Sequence, residues 1–187
     1  MSEAVSALAG AQTSGMVEVS DAGLKGMITL RGDLASGAMA RAVKAATGAT
    51  VPGLRRIERG DSGQVAWMSP DELLLVVPYG RAGAVVEILT HELAGEFATA
   101  VDVSDARAMI RLQGPQARDV LAKICPVDFR DFAVGDIRRT RAAQIAAAIW
   151  RESDDEWRLV CFRSVAQYAW DLLVTVSRPG GEVGLYR

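Results

Sequence analysis

The chain repeats one stretch of its own sequence at a nearly constant spacing. Residues 17–22, Val-Glu-Val-Ser-Asp-Ala, return as residues 101–106, Val-Asp-Val-Ser-Asp-Ala, 84 positions later. Residues 27–32 return as residues 109–114, 82 positions later. Internal repetition constrains the architecture more than any local pattern does, because two copies of one unit must fold alike.

Two more matches extend the repeat along the chain at spacings of 83 and 84: residues 55–56 with 138–139, and residues 72–76 with 156–160. We therefore predict a single duplicated domain over residues 1–187. Its parts are repeat 1 at about residues 16–98, repeat 2 at about residues 100–176, and a flexible tail at residues 177–187.

Both halves show the same order of patterns. Each opens with alternating apolar and polar residues on either side of a Ser-Asp-Ala turn, which predicts a pair of adjacent strands. A helical stripe, two further alternating runs and a second helical stripe follow. The order strand, strand, helix, strand, strand, helix predicts an α+β fold of two pseudo-symmetric, ferredoxin-like halves, with a mixed or antiparallel sheet and helices on one face.

Capping residues set the predicted ends of the helices. Asp33 is the predicted N-cap of the first helix, and Gly48 ends it. Pro115 is predicted to open the equivalent helix of the second half. The remaining predicted elements are helices at 82–93 and 165–174, the latter capped by Ser164, and strands at 64–68, 73–77, 144–150 and 157–162.

Composition excludes several classes of function. A net charge of −2 over 187 residues supplies no excess of cations for a nucleic-acid partner. Cys125 and Cys161 each lie in an apolar stretch, which is typical of reduced intracellular thiols that pack as small hydrophobes. The first basic residue is Lys25, so a signal peptide is not expected, and no apolar run approaches the roughly 20 residues that cross a bilayer. We expect a cytoplasmic protein without a membrane partner.

Catalytic and cofactor motifs are not found in the sequence. His91 is the single histidine, and it precedes Glu92 without the second histidine of a zinc-protease motif. One histidine and two distant cysteines do not assemble a usual metal site. Residues 60–63, Gly-Asp-Ser-Gly, form a turn pattern rather than a nucleophile elbow. No catalytic, cofactor-binding or metal-binding residue is therefore assigned.

Charged runs have two interpretations each. The acidic residues 154–156 fit a solvated turn better than a cation site. The basic runs at 55–59 and 138–141 are repeat equivalents, which form either a soluble surface or salt bridges to a partner.

Asp102 is expected to point outward from its strand, with Asp105 supporting the turn that follows. Trp170 has the helical spacing of a core or an interface residue, and core is the favoured interpretation.

One longer segment resembles a known superfamily. Residues 102–121, from Asp-Val-Ser-Asp-Ala to Arg-Asp-Val-Leu, look like the signature segment of the folate-binding aminomethyltransferases. More closely, the chain resembles the gamma subunits of heterotetrameric sarcosine oxidases, on residues spread over nearly its whole length: 6–10, 67–75, 126–129 and 163–170, with Phe132, Gly135 and Thr140. It departs from that family's pattern at packing and turn positions, at residues 68–73 and at Val165.

The resemblance implies a fold like the folate domain of an aminomethyltransferase and a place in an oxidoreductase complex. In that family the complex oxidatively demethylates sarcosine to glycine with O2, giving H2O2 and 5,10-methylenetetrahydrofolate. The resemblance further implies that the partners are alpha, beta and delta subunits and that FAD, FMN, NAD, tetrahydrofolate and zinc are bound by those subunits. This chain is then a non-catalytic structural subunit that binds no cofactor itself.

Two other interpretations stay open at this point. The superfamily segment also fits a stand-alone folate-binding protein with a one-carbon transfer or regulatory role. A homodimeric scaffold without an enzyme partner is the third. The sequence leaves the choice between sarcosine and a related methylamine open as well, because substrate selection would lie in another chain.

Overall fold

The computed structural model describes residues 3–184. Within that range the strands are β1 (Gln12–Ser14), β2 (Glu18–Asp21), β3 (Lys25–Arg31), β4 (Ile57–Gly60), β5 (Gly63–Ser69), β6 (Glu72–Pro78), β7 (Thr99–Asp102), β8 (Arg107–Gln113), β9 (Ile137–Ala142), β10 (Ile145–Arg151) and β11 (Glu156–Phe162). The α-helices are α1 (Gly37–Thr47), α2 (Ala82–Glu92), α3 (Ala117–Ala122) and α4 (Ala166–Val176).

The strands form two antiparallel sheets. The six-stranded sheet has the order β1-β2-β8-β11-β10-β9, and the five-stranded sheet has the order β4-β5-β6-β3-β7. The chain divides accordingly into a central unit, Leu24–Asp105, and a terminal unit built from the segments on either side of it. The predicted α+β class with antiparallel strands is confirmed.

The opening strands of the two halves are exchanged. β2 pairs with β8 instead of with β3, and β7 pairs with β3 instead of with β8. The predicted strand pair within each half is therefore wrong. β3 and β8 have the same sequence of buried and exposed positions, so alternation identifies each opening segment as a strand without deciding which partner it joins.

The exchange also changes which residues are equivalent. Asp21 lies opposite Ile110 in one sheet, and Asp102 lies opposite Ile28 in the other, so the structural spacing is 81 instead of the 84 of the sequence match. Two backbone hydrogen bonds follow the same spacing: Ala22 N–H to Met109 O at 3.0 Å, and Val103 N–H to Met27 O at 2.8 Å. The structural spacing is thus three residues shorter than the spacing of the sequence match.

The first helix starts later than predicted. Ser36 is its N-cap, with the side-chain oxygen accepting the Met39 N–H at 3.1 Å. Asp33, the predicted cap, instead accepts the Ala35 N–H at 3.0 Å and forms the turn before the helix. Gly48 ends the helix at a φ of 76°, as predicted, because glycine adopts this left-handed conformation without strain.

The two later predictions of helix starts are also corrected. α3 begins at Ala117, two residues after Pro115, and Gln116 occupies the N-cap position without a side-chain hydrogen bond to the helix. Ser164 lies within a 3-10 turn, Arg163–Val165, and α4 follows it from Ala166. In both places a tight turn precedes the helix, and local composition does not separate the two conformations.

Each unit packs its helices on one face of its sheet. In the central unit, α1 and α2 cover alternate residues of β3 and β6, and the buried set includes Ile28, Leu30, Met39, Leu73, Leu75 and Leu89. In the terminal unit, α3 and α4 cover β8, β10 and β11, and the buried set includes Ile110, Leu121, Phe129, Ile149, Trp157 and Leu173. Burial of these apolar residues is the main stabilising contribution.

The basic runs lie at edge strands that the sequence patterns did not reveal: Arg55 and Arg56 directly precede β4, and residues 138–141 lie within β9. Residues 57–60 form β4 and residues 137–142 form β9, each at the end of its sheet. Arginines on exposed edge strands oppose unwanted pairing with other chains.

The expected flexible tail starts with an ordered residue. Ser177 is 2% exposed, and its carbonyl accepts the Met16 N–H at 2.7 Å. Residues 185–187 of that tail lie outside the described residues. No helix within residues 3–184 is long and apolar enough to span a membrane.

Candidate functional site

His91 lies on the exposed side of α2. Its side chain is 87% exposed, and Nδ1 is 3.7 Å from the Glu92 carboxylate beside it. Within residues 3–184, no three His, Cys, Asp or Glu side chains converge in a way that could hold a metal ion. The structure therefore places His91 at the surface of α2.

Both thiols lie inside the apolar core of the terminal unit. Burial raises the pKa of Cys125 to about 12 and the pKa of Cys161 to about 11. A thiol is a nucleophile only when it is ionised, so both are inert at neutral pH. Their predicted role as small hydrophobic residues is confirmed.

The acidic run 154–156 divides between solvent and the sheet. Asp154 is 91% exposed and pairs with Arg151 at 3.2 Å, in agreement with the predicted solvated turn. Glu156 is only 17% exposed, because it begins β11 and its side chain turns onto the sheet. For Glu156 the prediction is wrong.

Glu156 belongs to a network of four charged side chains that we call the charged cluster: Glu18, Arg111, Glu156 and Arg158. The cluster lies across the neighbouring strands β2, β8 and β11, on the face opposite to the helices. The Arg111 Nε and Nη2 atoms are 2.8 and 2.6 Å from Glu156 Oε2, and Arg158 Nη2 is 2.5 Å from Oε1. Glu18 approaches Arg111 Nη1 at 3.5 Å.

The cluster is balanced, with two cations and two anions. Glu156 lies between two guanidinium groups that would otherwise repel each other. Burial lowers the pKa of Arg158, and the Glu156 carboxylate opposes that change. Its ion pairs join β2 to β8 and β8 to β11, so the charged cluster acts as a structural brace across three strands.

Sequence reasoning missed Glu18, Arg111 and Arg158. The signal was present, since each is a charged residue inside an alternating strand pattern, with charges of opposite sign on the partner strands. These charges can be matched only when β2, β8 and β11 are known to be neighbours, and the exchange of β2 and β7 makes that strand order unpredictable from sequence.

Asp102 organises the turn after β7. Its Oδ1 atom accepts hydrogen bonds from the N–H, at 2.9 Å, and the hydroxyl of Ser104, and Ser104 Oγ in turn accepts the Met27 N–H at 3.0 Å. Asp105, the residue expected to support the turn, instead accepts a hydrogen bond of 3.0 Å from the Tyr79 hydroxyl. Asp102 and Ser104 therefore serve the turn, whereas Asp105 ties it to Tyr79.

Several large apolar side chains are exposed on the surface. Phe97 is fully exposed, and Phe162 is half exposed with the Arg107 guanidinium carbon 4.1 Å from its ring centre. Other large apolar residues on the surface are Val5, Leu54, Val101, Val134, Tyr168 and Val183. Exposed aromatic residues are typical of surfaces that bind another protein.

Known proteins are similar to this chain in sequence. The sarcosine oxidase subunit gamma of Corynebacterium sp. (strain U-96) is 36% identical over 123 residues, which are 64% of this chain and 59% of that relative. The match thus spans less than two thirds of the length of that relative.

Solved structures extend the likeness to the fold. A chain of the heterotetrameric sarcosine oxidase from Corynebacterium sp. U-96, in complex with pyrrole 2-carboxylate, is similar with a TM-score of 0.78 at 28% identity, covering 89% of this chain and 87% of that one. The glycine cleavage system aminomethyltransferase T from Bartonella henselae has the same fold, with a TM-score of 0.63 at 16% identity over 85% of this chain and 45% of that one.

A profile of one family covers most of the sequence. Residues 31–178 match the sarcosine oxidase, gamma subunit family. That range includes strands β4 to β11, the four α-helices of the described residues and three residues of the charged cluster, Arg111, Glu156 and Arg158. Because the match covers well over half of the chain, the chain belongs to the sarcosine oxidase, gamma subunit family.

Proposed function

We propose that the chain is the gamma subunit of a heterotetrameric sarcosine oxidase. The observation that carries the proposal is the agreement in fold and sequence with a chain of such an enzyme over 89% of the present chain. The complex would oxidatively demethylate sarcosine to glycine with O2 and yield H2O2 and 5,10-methylenetetrahydrofolate.

In this proposal the chain has a structural and not a catalytic role. Its charged cluster is engaged in an internal network, and its two thiols are buried. FAD, FMN, NAD, tetrahydrofolate and zinc would be bound by the alpha, beta and delta partners, and the assembled enzyme would work in the cytoplasm. The exposed aromatic residues Phe97 and Phe162 are candidates for contact with those partners.

Co-expression with the three other subunits tests the proposal. We expect the tagged chain to co-purify with them in fixed stoichiometry, with a flavin absorbance spectrum and sarcosine-dependent release of H2O2. The purified chain alone should be colourless and inactive. Oxidation of sarcosine by the isolated chain would contradict a non-catalytic role, and purification without partners would contradict the subunit role.

A titration with tetrahydrofolate distinguishes the proposed subunit from the alternative, a stand-alone folate-binding protein. A ligand at 100 times its dissociation constant stabilises the folded state by roughly 2.7 kcal/mol. We expect the thermal midpoint of the isolated chain to stay unchanged, because the proposal places the folate site on a partner.

A further inference from the structure

The strand β7 forms one edge of the five-stranded sheet, and no strand within residues 3–184 pairs with its outer side. β7 pairs with β3 only on its inner side, with Val101 opposite Thr29 and Ala100 opposite Leu30. Val103 donates its N–H to Met27 O, so Val103 bonds inward, toward β3. In an antiparallel pair, successive residues of a strand bond alternately toward the partner strand and away from it. The N–H and C=O groups of Ala100 and Asp102 therefore point away from the sheet.

The equivalent edge of the terminal unit is covered by a strand. β2 corresponds to β7 at the spacing of 81, so Val19 and Asp21 correspond to Ala100 and Asp102. There β1 adds antiparallel to β2, with Thr13 opposite Val19, and Ala11 O accepts the Asp21 N–H at 2.8 Å. The outward main-chain groups of β2 in the terminal unit are thus paired with β1, whereas the equivalent groups of β7 in the central unit face no strand within residues 3–184.

The segment that leads into β1 also fills the core beside that edge. Leu8 is 7% exposed and belongs to the same apolar cluster as Leu173 of α4, and Ala11 packs against that cluster. Leu89 of α2 is the counterpart of Leu173 at the repeat spacing of 84. In the terminal unit, the added strand thus supplies apolar side chains on the helix side of the sheet.

The central unit has a groove at the corresponding place. It has a volume of about 210 Å³, lies between the C-terminal end of α2 and β7, and is lined mostly by apolar side chains. The lining residues are Leu89, Thr90, Leu93, Ala94, Ala98, Thr99 and Ala100. A strand added to β7 would direct every second side chain toward this groove.

Two large apolar side chains are exposed at this edge, and Asp102 is the one charged residue of β7. Phe97, in the loop that enters β7, is 103% exposed, and Val101 within the strand is 47% exposed. An open edge strand with apolar side chains is a site for pairing with another polypeptide unless charges or covering segments prevent it. β9, the edge strand of the other sheet, carries such charges at Arg139 and Arg141.

We propose that β7 and the groove beside it bind an extended segment of a partner subunit, which adds antiparallel to β7 as β1 adds to β2. The inference rests on the proposed function, since it assigns the partner to the same complex. Main-chain hydrogen bonds to Ala100 and Asp102 would provide affinity, and an apolar side chain seated against Leu89 would provide specificity.

Proline at position 100 tests the proposal, because it removes an outward N–H without breaking the ladder to β3. Arg141→Pro is the matched control, since the register of β9 on β10 places the Arg141 N–H on an outer edge too. Phe97→Ser is a second variant, and it changes a side chain that is fully exposed and outside the core. Each is co-expressed with the alpha, beta and delta subunits, and complex stability and the thermal midpoint of the free chain are measured.

We expect Ala100→Pro to weaken assembly by roughly tenfold or more. Phe97→Ser should weaken assembly as well, and Arg141→Pro should leave it unchanged, while the free variants keep thermal midpoints close to the original. Hydrogen exchange gives the second readout: the amides of Ala100 and Asp102 should exchange freely in the isolated chain and become protected in the complex.

Different failures overturn different claims. An intact complex in which these amides stay unprotected and Ala100→Pro assembles normally overturns the inference and leaves the proposed function standing. Protection that appears in the isolated chain and grows with its concentration assigns the edge to a second copy and also overturns it. If the unaltered chain forms no complex with the three subunits, both the proposed function and this inference fail.

Discussion

Arg111 on β8 and Glu156 on β11 are diagonal neighbours across the two strands, and Arg111 donates two hydrogen bonds of 2.8 and 2.6 Å to one oxygen of the Glu156 carboxylate. The other oxygen of Glu156 binds Arg158 at 2.5 Å. Glu156 thus compensates two guanidinium groups, both of which are largely withdrawn from water. The central unit has a simpler version, in which Arg31 pairs with Glu72 at 2.7 Å.

Glu156→Gln should lower the free energy of unfolding by about 1–3 kcal/mol, because it leaves two neighbouring cations without their shared anion. Asp154→Asn is the matched control: Asp154 is 91% exposed and its pair with Arg151 should contribute within about 0.5 kcal/mol. Urea unfolding of the two variants checks the difference. Equal losses would show that the charged cluster does not brace the sheet.

The buried thiols predict a loss of stability at alkaline pH. In the unfolded chain cysteine ionises near pH 8.5, whereas the folded pKa values are about 12 for Cys125 and about 11 for Cys161. Between these limits the unfolded state binds fewer protons than the folded state, so stability falls as pH rises, by up to about 1.4 kcal/mol per pH unit for each thiol.

Cys125→Ala isolates this contribution. The variant should be less stable than the original at pH 7, because it leaves a small cavity, but its unfolding free energy should fall less steeply between pH 9 and 11. Denaturant unfolding over that range measures the two slopes. Parallel curves for variant and original would mean that Cys125 titrates normally in the folded protein.

Some elements of this fold could be predicted from sequence because their signals are local. The apolar stripe of α1 with Gly48 at its end, and the hairpins β5–β6 and β10–β11 around Ser-Pro-Asp and Ser-Asp-Asp turns, are set by neighbouring residues. The partner exchange of β2 and β7 is not local. β3 and β8 offer each opening strand an equivalent edge, so the choice depends on the whole chain.

The site was harder to predict than the fold. Glu156 appears in the sequence as the last of three acids in a turn, and its burial follows from the pairing of β11 with β8 opposite Gln113. The repeat itself misleads at Asp102, since the sequence match aligns it with Glu18 while the structure aligns it with Asp21. The repeated Ser-Asp-Ala triplets therefore lie in different places: Asp21 ends β2, whereas Asp105 lies in the 3-10 turn Ser104–Ala106 after β7.

The tryptophans of the terminal unit should differ in their contribution to stability. Trp157 is 2% exposed, with its ring centre 4.8 Å from that of Phe132 and 5.7 Å from that of Phe129. Trp157→Ala should therefore cost roughly 3–5 kcal/mol. Trp170 is partly buried and packs against the same cluster, so Trp170→Ala should cost roughly 1–2 kcal/mol.

Thermal unfolding of both tryptophan variants distinguishes a core role from an interface role. An unchanged midpoint for Trp170→Ala, combined with loss of co-purifying subunits, would assign Trp170 to an interface and contradict its favoured place in the core. A larger loss for Trp170→Ala than for Trp157→Ala would contradict the order of burial.

A close approach of backbones makes Gly60 sensitive to substitution. A Cβ atom at this position would lie 2.3 Å from both Ala49 N and Thr47 O, and backbone atoms cannot yield as a side chain can. Gly60→Ala should therefore destabilise the central unit by roughly 1–3 kcal/mol or more. Gly53→Ala is the matched control, because a Cβ there meets no atom within 4 Å, and it should be neutral or slightly stabilising by reducing the entropy of the unfolded chain. Denaturant midpoints of the two variants decide the matter: equal midpoints would show that the segment from Thr47 to Ala49 can move away from β4.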